Sequence, residues 1–188
     1  MVLFINACAR SDSRTLRLGR HVLRRLGKDY EELVLDRERI SPLYSERLAA
    51  RDALIGAGKL DDEFLRYARQ FAEADEIVVA VPYWDLSFSA VLKNYIEAIN
   101  VIGITFSYSD MGVPGGLCRA KRLIYVTTAG GQIYSDELGF GYIKTLCRTF
   151  YGIGELEYFK AEGLDVAGAD VEGILCAAEA EIDEKLTI

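Results

Sequence analysis

The sequence predicts an α/β fold in which a parallel β-sheet is covered by helices on both faces. Strand-like and helix-like segments alternate five times along the 188 residues, an order typical of parallel sheets whose strands are joined by crossover helices. Several strand-like segments are also almost wholly apolar, as in EIVVAV (76–81). Such segments indicate strands that are buried on both faces of the sheet.

Five predicted strands follow one another along the chain, and a predicted helix separates each from the next. The strands are VLFINA (2–7), YEELVLD (30–36), EIVVAV (76–81), KRLIYVTTA (121–129) and ELEYFKAEG (155–163). Their number and order indicate a doubly wound sandwich with a five-stranded parallel sheet.

The predicted helices are recognised by their periodicity and their first turns. In TLRLGRHVLRRL (15–26), Leu18, Val22 and Leu26 are spaced by four residues and share one face. DDEFLRYARQFAEA (61–74) begins with acidic residues that match the helix dipole. The other predicted helices are SAVLKNYIEAIN (89–100), ELGFGYIKTLCRTFYG (137–152) and VEGILCAAEAEIDEKL (171–186).

Two segments do not fit this alternation. Residues 37–60 are too long for a bare loop, so we expect a short extra helix around residues 45–55. Residues 104–120 contain alternating aromatic residues and then a Gly/Pro turn. We interpret both segments as additions that shape a pocket or a subunit interface. No repeat or linker divides the chain, and we therefore expect one domain, residues 1–188.

The composition argues against several classes of protein. A net charge of −7 disfavours a general nucleic-acid binder, because neutralisation of phosphates drives that binding. No apolar run approaches a membrane span, and the first residues lack the features of a signal peptide. Cys8, Cys118, Cys147 and Cys176 have no metal-ligand spacing, and the single histidine, His21, lies inside a predicted helix. We expect a cytoplasmic protein with reduced thiols and no metal site.

Ligands of open parallel sheets bind at the carboxyl ends of the strands, and the loop after the first predicted strand suits a phosphate. It carries Ser11, Ser13 and Thr15 with Arg10 and Arg14 between them, and it leads into a helix. Backbone N–H groups, the helix dipole and these side chains together favour a phosphate. Ordinary helix capping by Ser or Thr is the alternative. The spacing matches neither the dinucleotide-binding motif nor the P-loop motif.

The loop after the third predicted strand opens with Pro82, Tyr83 and Trp84. An aromatic pair in such a loop can stack on a flat heterocycle. The alternative is a pair of core aromatics at the start of a helix. Because a loop at the carboxyl edge of the sheet is exposed, we favour contact with a ligand.

The loop after the fourth predicted strand contains Thr127 and Thr128, followed by Gly130 and Gly131. Paired glycines allow a backbone to approach a ligand closely, although Gly-Gly is also routine turn chemistry. Tyr134 is a candidate for the same pocket or for an ordinary surface tyrosine. A phosphate loop combined with aromatic and glycine loops matches flavin mononucleotide (FMN) in a sheet of order 2-1-3-4-5.

Five segments also carry a resemblance to a known family. They are ISPL (40–43), VPYWDLSFSAVLKNY (81–95), GITFSY (103–108), Pro114-Gly115-Gly116-Leu117 and VTTAGG (126–131). Together they resemble the FMN-dependent NAD(P)H azoreductases and quinone reductases, which have a flavodoxin-like fold. The resemblance runs through most of the chain and implies a three-layer sandwich.

The resemblance also implies an activity and a cofactor. It implies that NADH or NADPH reduces bound FMN and that a small acceptor, such as an azo compound or a quinone, then takes the electrons in a ping-pong cycle. It further implies a homodimer with the flavins near the interface.

Particular residues follow from the same resemblance. The resemblance implies that the FMN phosphate is bound by Ser11, Ser13, Arg14 and Thr15. It implies that the flavin ring is bordered by Pro82, Tyr83, Trp84, Asp85 and Leu86. The pyrimidine side of the ring would be lined by Thr128, Ala129, Gly130 and Gly131. Asp85 stands where we expect an asparagine. No histidine other than His21 is present for a Tyr-His pair, so Tyr134 is the candidate catalytic residue.

Two other functions remain open at this stage. A flavodoxin-like FMN electron carrier without turnover of its own would use the same fold and cofactor, although its phosphate loop is usually rich in glycine and threonine. A binding module without flavin is also compatible with this architecture. Turnover of NADH separates the first alternative from a reductase, and binding of FMN separates the second.

Overall fold

The structure, a computed structural model, describes residues 1–186. Its strands are β1 Val2–Asn6, β2 Tyr30–Val34, β3 Glu76–Ala80, β4 Tyr83–Trp84, β5 Ser87–Phe88, β6 Phe106–Tyr108, β7 Pro114–Gly116, β8 Arg122–Thr128 and β9 Glu155–Ala161. Its α-helices are α1 Arg14–Leu26, α2 Leu35–Glu38, α3 Ser45–Gly56, α4 Arg66–Glu73, α5 Ala90–Ile99, α6 Tyr142–Leu146 and α7 Val171–Lys185. A 3₁₀ turn, Glu63–Leu65, precedes α4.

Five strands form the central sheet in the order β2-β1-β3-β8-β9, and every neighbouring pair is parallel. Counted along the chain, these five strands have the order 2-1-3-4-5. The predicted α/β class and five-stranded parallel sheet are confirmed. The two remaining strand pairs, β4-β5 and β6-β7, are short antiparallel hairpins outside the sheet.

Two hydrophobic cores lie on opposite faces of the sheet. Along β1, Leu3 and Ile5 belong to the core covered by α4, α5 and α6, whereas Val2 and Phe4 belong to the core covered by α1 and α7. This alternation follows from the two-residue period of a strand. It explains why β1 and β3 are buried at every position.

Helix α1 shows why the predicted periodicity was informative. Its predicted apolar residues, Leu18, Val22 and Leu26, are all buried against the sheet. The helix packs so closely that a Cβ at Gly19 would lie 2.9 Å from the Cβ of Ala80. The helix ends at Gly27, whose φ of 61° is the left-handed conformation that favours glycine.

Ion pairs join α1 to α7 on the outer surface. Arg17 donates hydrogen bonds to Glu172 at 2.7 Å and to Glu179 at 2.9 Å, and His21 lies 2.9 Å from Asp183. Arg17 forms these ion pairs because the packing of α7 beside α1 brings carboxylates next to it, which the residue spacing within α1 does not show.

Two predicted elements, the second strand and the helix over 137–152, differ in detail from the structure. The second strand ends at Val34 because Leu35 turns inward and begins α2. The helix predicted over 137–152 is continuous, but π-helical turns, Glu137–Gly141 and Cys147–Tyr151, flank α6. In the first of these turns Gly141 N–H donates to the carbonyl of Asp136, five residues earlier.

The two additional segments also take defined forms. The extra helix predicted near 45–55 is α3, and none of its residues is buried. Residues 104–120 contain the β6-β7 hairpin. The predicted turn at Pro114-Gly115-Gly116 is wrong, because these residues form its second strand. The turn lies earlier, at residues 109–113, where Ser109 N–H donates to the carbonyl of Val113. Within residues 1–186, none of the helices has the length and apolar character needed to cross a lipid bilayer.

We expect Arg17→Ala to lower the melting temperature by a few degrees at pH 7, because Arg17 holds the pKa of Glu172 and of Glu179 below the ordinary value of 4.5. A lowered carboxyl pKa stabilises the folded protein above the ordinary value, and this stabilisation is lost as the pH falls through the lowered pKa. The difference between wild type and variant should therefore shrink below about pH 4.5.

Thermal unfolding followed by circular dichroism between pH 3 and pH 7 would measure this effect, with the pH range set by the ordinary carboxyl pKa. Arg20→Ala is the matched control, because Arg20 is exposed on the same helix and forms no ion pair within residues 1–186. A difference between Arg17→Ala and wild type that is the same at every pH would contradict the electrostatic explanation.

Candidate functional site

A cleft of about 560 Å³ opens at the carboxyl edge of the central sheet. It is bounded by the loops that follow β1, β3, β8 and β9. Nine of the predicted site residues line it, and they are Arg10, Ser13, Arg14, Thr15, Pro82, Tyr83, Trp84, Thr128 and Gly130. Three further residues line it that were not among the predicted site residues, and they are Ala9, Asp12 and Asp165.

The remaining predicted site residues do not line the cleft. They are Ser11, Asp85, Leu86, Ala129, Gly131 and Tyr134. Ala129 is buried, and Tyr134 is 78% exposed. The functional roles of these six residues stay predictions.

The loop after β1 presents free amides beside the start of α1. Ser13 is the N-cap of α1, and its Oγ accepts a hydrogen bond of 3.3 Å from Leu16 N–H. Helix capping, the alternative to phosphate binding, is therefore confirmed for Ser13. The amides of residues 9–12 donate no hydrogen bond to any described residue. Free amides at the positive end of a helix form a site for an anion.

Two buried threonine contacts fix the loops relative to one another. The hydroxyls of Thr15 and Thr128 are 2.6 Å apart, which ties the start of α1 to the end of β8. Thr127 Oγ1 donates to the carbonyl of Val81 at 2.7 Å, which ties the end of β8 to the loop after β3. Since both pairs are buried, water does not compete for them, and the loops keep a fixed arrangement.

Tyr83 and Trp84 form the first strand of the β4-β5 hairpin, and sequence reasoning missed this element. The central residues of its turn, Asp85 and Leu86, have φ values of 50° and 66°. Positive φ at both central positions is the requirement of a type I′ turn. Residues other than glycine adopt it at a cost of roughly 1–3 kcal/mol each, and such strain is often kept at functional sites.

The hairpin leaves its two aromatic side chains in different environments. Trp84 is 44% exposed. Tyr83 is half-buried, and its hydroxyl is buried without a hydrogen-bond partner among the described residues. The hairpin is supported from behind, since Ser87 Oγ donates to the carbonyl of Leu138 in the π-helical turn. The sequence contained no Asn-Gly or Asp-Gly pair that would have indicated the turn.

The glycine loop is bonded on one side and free on the other. The carbonyls of residues 129–131 accept hydrogen bonds of 2.8–3.2 Å from the amides of residues 163–165. The amides of Gly130 and Gly131 donate to no described residue. Gly130 lines the cleft, and an N–H group there without a partner among the described residues can stabilise a ligand oxygen that carries negative charge.

Charges of both signs meet in the cleft. Arg14 donates from Nη2 to Asp165 Oδ1 and from Nη1 to the carbonyl of Leu164, both at 2.8 Å. Arg10 and Asp12 form no ion pair within residues 1–186. Below the loop, burial raises the pKa of the Cys8 thiol to about 11, which keeps it protonated at neutral pH and unreactive.

Comparison with known proteins supports the same architecture. The family described as having a flavodoxin-like fold matches residues 1–186. The FMN-dependent NADH:quinone oxidoreductase 2 of Clostridium acetobutylicum is 41% identical over 187 aligned residues, which cover 93% of this chain and 92% of that protein. The FMN-dependent NADH:quinone oxidoreductase of Lachnoclostridium phytofermentans is 37% identical over 180 residues, with 91% and 90% covered.

Solved structures agree with the sequence matches. The azoreductase from Bacillus anthracis str. Sterne superimposes with a TM-score of 0.83 at 26% identity, covering 97% of this chain and 96% of that one. The azoreductase AzrA gives a TM-score of 0.82 at 26% identity, covering 97% of both chains. The chain belongs to the flavodoxin-like fold family, among relatives named FMN-dependent NADH:quinone oxidoreductases.

Proposed function

We propose that this protein is an FMN-dependent oxidoreductase that passes two electrons from NADH or NADPH to a small acceptor such as a quinone or an azo compound. The observation that carries the proposal is the convergence of three loops on one cleft. The loop after β1, the aromatic hairpin and the glycine loop line it together, and the amides of residues 9–12 and of Gly130 have no partner within residues 1–186. The names of the relatives support the same cofactor and donor.

The residues of the cleft fit FMN. Its volume of about 560 Å³ is within the usual range of cofactor sites, roughly 300–1,000 Å³. The amides of residues 9–12 and the guanidinium of Arg10 have no hydrogen-bond or ion-pair partner within residues 1–186, and they suit the phosphate. The exposed face of Trp84 suits a flat ring.

Bound FMN would supply the redox chemistry by accepting two electrons from the nicotinamide and releasing them to the acceptor. The chain's own task is to bind and orient. Arg10 and the amino end of α1 hold the phosphate, and Trp84 borders the ring. The amides of Gly130 and Gly131 stabilise negative charge at the pyrimidine edge. We keep Tyr134 as the candidate catalytic residue, with its Oη as a source of a proton.

We propose a ping-pong order because donor and acceptor would use the same exposed side of the cofactor in turn. Trp84, which lines the cleft, is 44% exposed, so this side of the cleft borders solvent. This supports alternate occupation by nicotinamide and acceptor, since both must approach the same ring.

We also propose a homodimer. The support is apolar surface on the two additional segments of the chain. Tyr44 and Leu48 are exposed at the start of α3, and Tyr108, Met111 and Val113 are exposed in or next to the β6-β7 hairpin. Clustered apolar side chains of this kind mark interaction surfaces.

Two further points complete the proposal. We propose that residues 1–188 form one flavin-binding domain, of which residues 187 and 188 lie outside the described part. We also propose a cytoplasmic location, supported by four cysteines that form no disulfide within residues 1–186.

The visible spectrum of the purified protein tests the function directly. We expect a yellow protein whose flavin bands bleach when NADH is added without oxygen and return when a quinone or an azo dye is added. Flavin bands that neither NADH nor NADPH bleaches would support an electron carrier. A colourless protein that takes up no FMN would contradict the flavin proposal.

We expect Trp84→Ala to weaken the binding of FMN and of riboflavin equally, each by about tenfold, because stacking acts on the ring that both ligands share. Quenching of flavin fluorescence would measure both dissociation constants. Trp84→Phe keeps an aromatic face and should restore most of the affinity. A change of less than about twofold for Trp84→Ala would rule out a role in stacking.

We expect Arg10→Ala to weaken FMN binding by about tenfold and to leave riboflavin binding unchanged. The reason is that only FMN carries the phosphate that a charge-assisted hydrogen bond from Arg10 would hold. The same titration measures both ligands, and riboflavin serves as the control. An equal loss for the two flavins would place Arg10 away from the phosphate.

A further inference from the structure

The second arginine of the cleft, Arg14, is held by the loop between β9 and α7. Its Nη2 donates to Asp165 Oδ1 and its Nη1 donates to the carbonyl of Leu164, both at 2.8 Å. Both Arg14 and Asp165 line the cleft proposed for FMN. The guanidinium that would suit a phosphate is therefore already bound to a carboxylate.

The position of Asp165 depends on the glycine loop. Its amide donates to the carbonyl of Gly130 at 2.8 Å. A Cβ at Gly130 would lie only 2.1 Å from Asp165 Oδ2. The Asp165 carboxylate thus occupies the space that the Cβ of any other residue at position 130 would fill. Its second oxygen, Oδ1, contacts Arg14.

The pair between Arg14 and Asp165 can be exchanged at little cost. The Asp165 side chain is 68% exposed and that of Arg14 is 33% exposed, and exposed ion pairs contribute little to stability. A phosphate group carries nearly two negative charges and accepts paired hydrogen bonds from a guanidinium. Arg14 would therefore bind a phosphate in the cleft more strongly than it binds Asp165.

We propose that Asp165 competes with the cofactor phosphate for Arg14 and so lowers the affinity of the protein for phosphorylated flavin. In the absence of phosphate, Asp165 binds Arg14. When a phosphate binds Arg14 instead, the carboxylate of Asp165 remains beside it as a second negative charge. Both effects oppose FMN, and neither acts on riboflavin. Asp165 is in this sense a residue that sets specificity for the phosphate, and the inference rests on the proposed function.

The test compares FMN and riboflavin as ligands of the wild-type protein, Asp165→Asn and Asp29→Asn, with dissociation constants from flavin fluorescence. We expect Asp165→Asn to tighten FMN binding by about tenfold, equivalent to about 1.4 kcal/mol, and to leave riboflavin unchanged. Asp29→Asn is the matched control, because Asp29 is exposed just before β2, at the opposite edge of the sheet, and forms no ion pair within residues 1–186. It removes the same charge far from the cleft and should change FMN binding by less than about threefold.

A double variant separates competition for Arg14 from a structural effect of Asp165→Asn, since a structural effect would be the same whether or not Arg14 is present. When Arg14 is already replaced by alanine, Asp165→Asn should tighten FMN binding much less than in the wild-type background, because the competition for Arg14 is absent. Thermal unfolding of each variant would show whether the fold is retained.

Several results would overturn the inference. Weaker FMN binding by Asp165→Asn would mean that Asp165 positions Arg14 for the phosphate. Equal effects of Asp165→Asn and Asp29→Asn would mean that only the total charge matters, and equal effects on both flavins would mean a structural change. If the wild-type protein binds neither flavin, the proposed function fails and this inference fails with it.

Discussion

The parallel pairing of the buried strands β1, β3 and β8 is the constraint on which the rest of the structure depends. Every residue of β1 and β3 is buried, so their backbone N–H and C=O groups must bond within the sheet. Parallel neighbours require a crossover between successive strands, and the helices provide it. Because all strands then run the same way, the loops that follow them meet at one edge, where the cleft lies.

Local contacts turn this meeting of loops into a site of fixed shape. The buried hydroxyl pair of Thr15 and Thr128 joins two of the loops, and the bond from Thr127 to Val81 joins the third. The strained turn at Asp85 and Leu86 shows that the aromatic hairpin is held by its surroundings, including the π-helical turn behind it. A site held in this way loses little entropy when a ligand binds.

Sequence reasoning succeeded where a signal is local. The four-residue spacing of Leu18, Val22 and Leu26 predicted the buried face of α1, and all three are buried. Strand ends with unusual composition indicated three of the loops that line the cleft. The β4-β5 hairpin was missed because Asp85 and Leu86 are not residues that favour its turn, and tertiary packing overrides that preference.

The sequence by itself determined the class of the fold, the edge of the sheet at which the cleft lies and most of the residues that line it. These properties follow from apolar periodicity and from the rule that parallel strands end together. Only the tertiary structure decided the electrostatic state of the cleft. Asp165 lies 151 residues from Arg14 along the chain, and no local pattern indicates that a carboxylate so distant binds the arginine. Such a contact arises from the packing of whole elements, and short-range sequence patterns do not contain it.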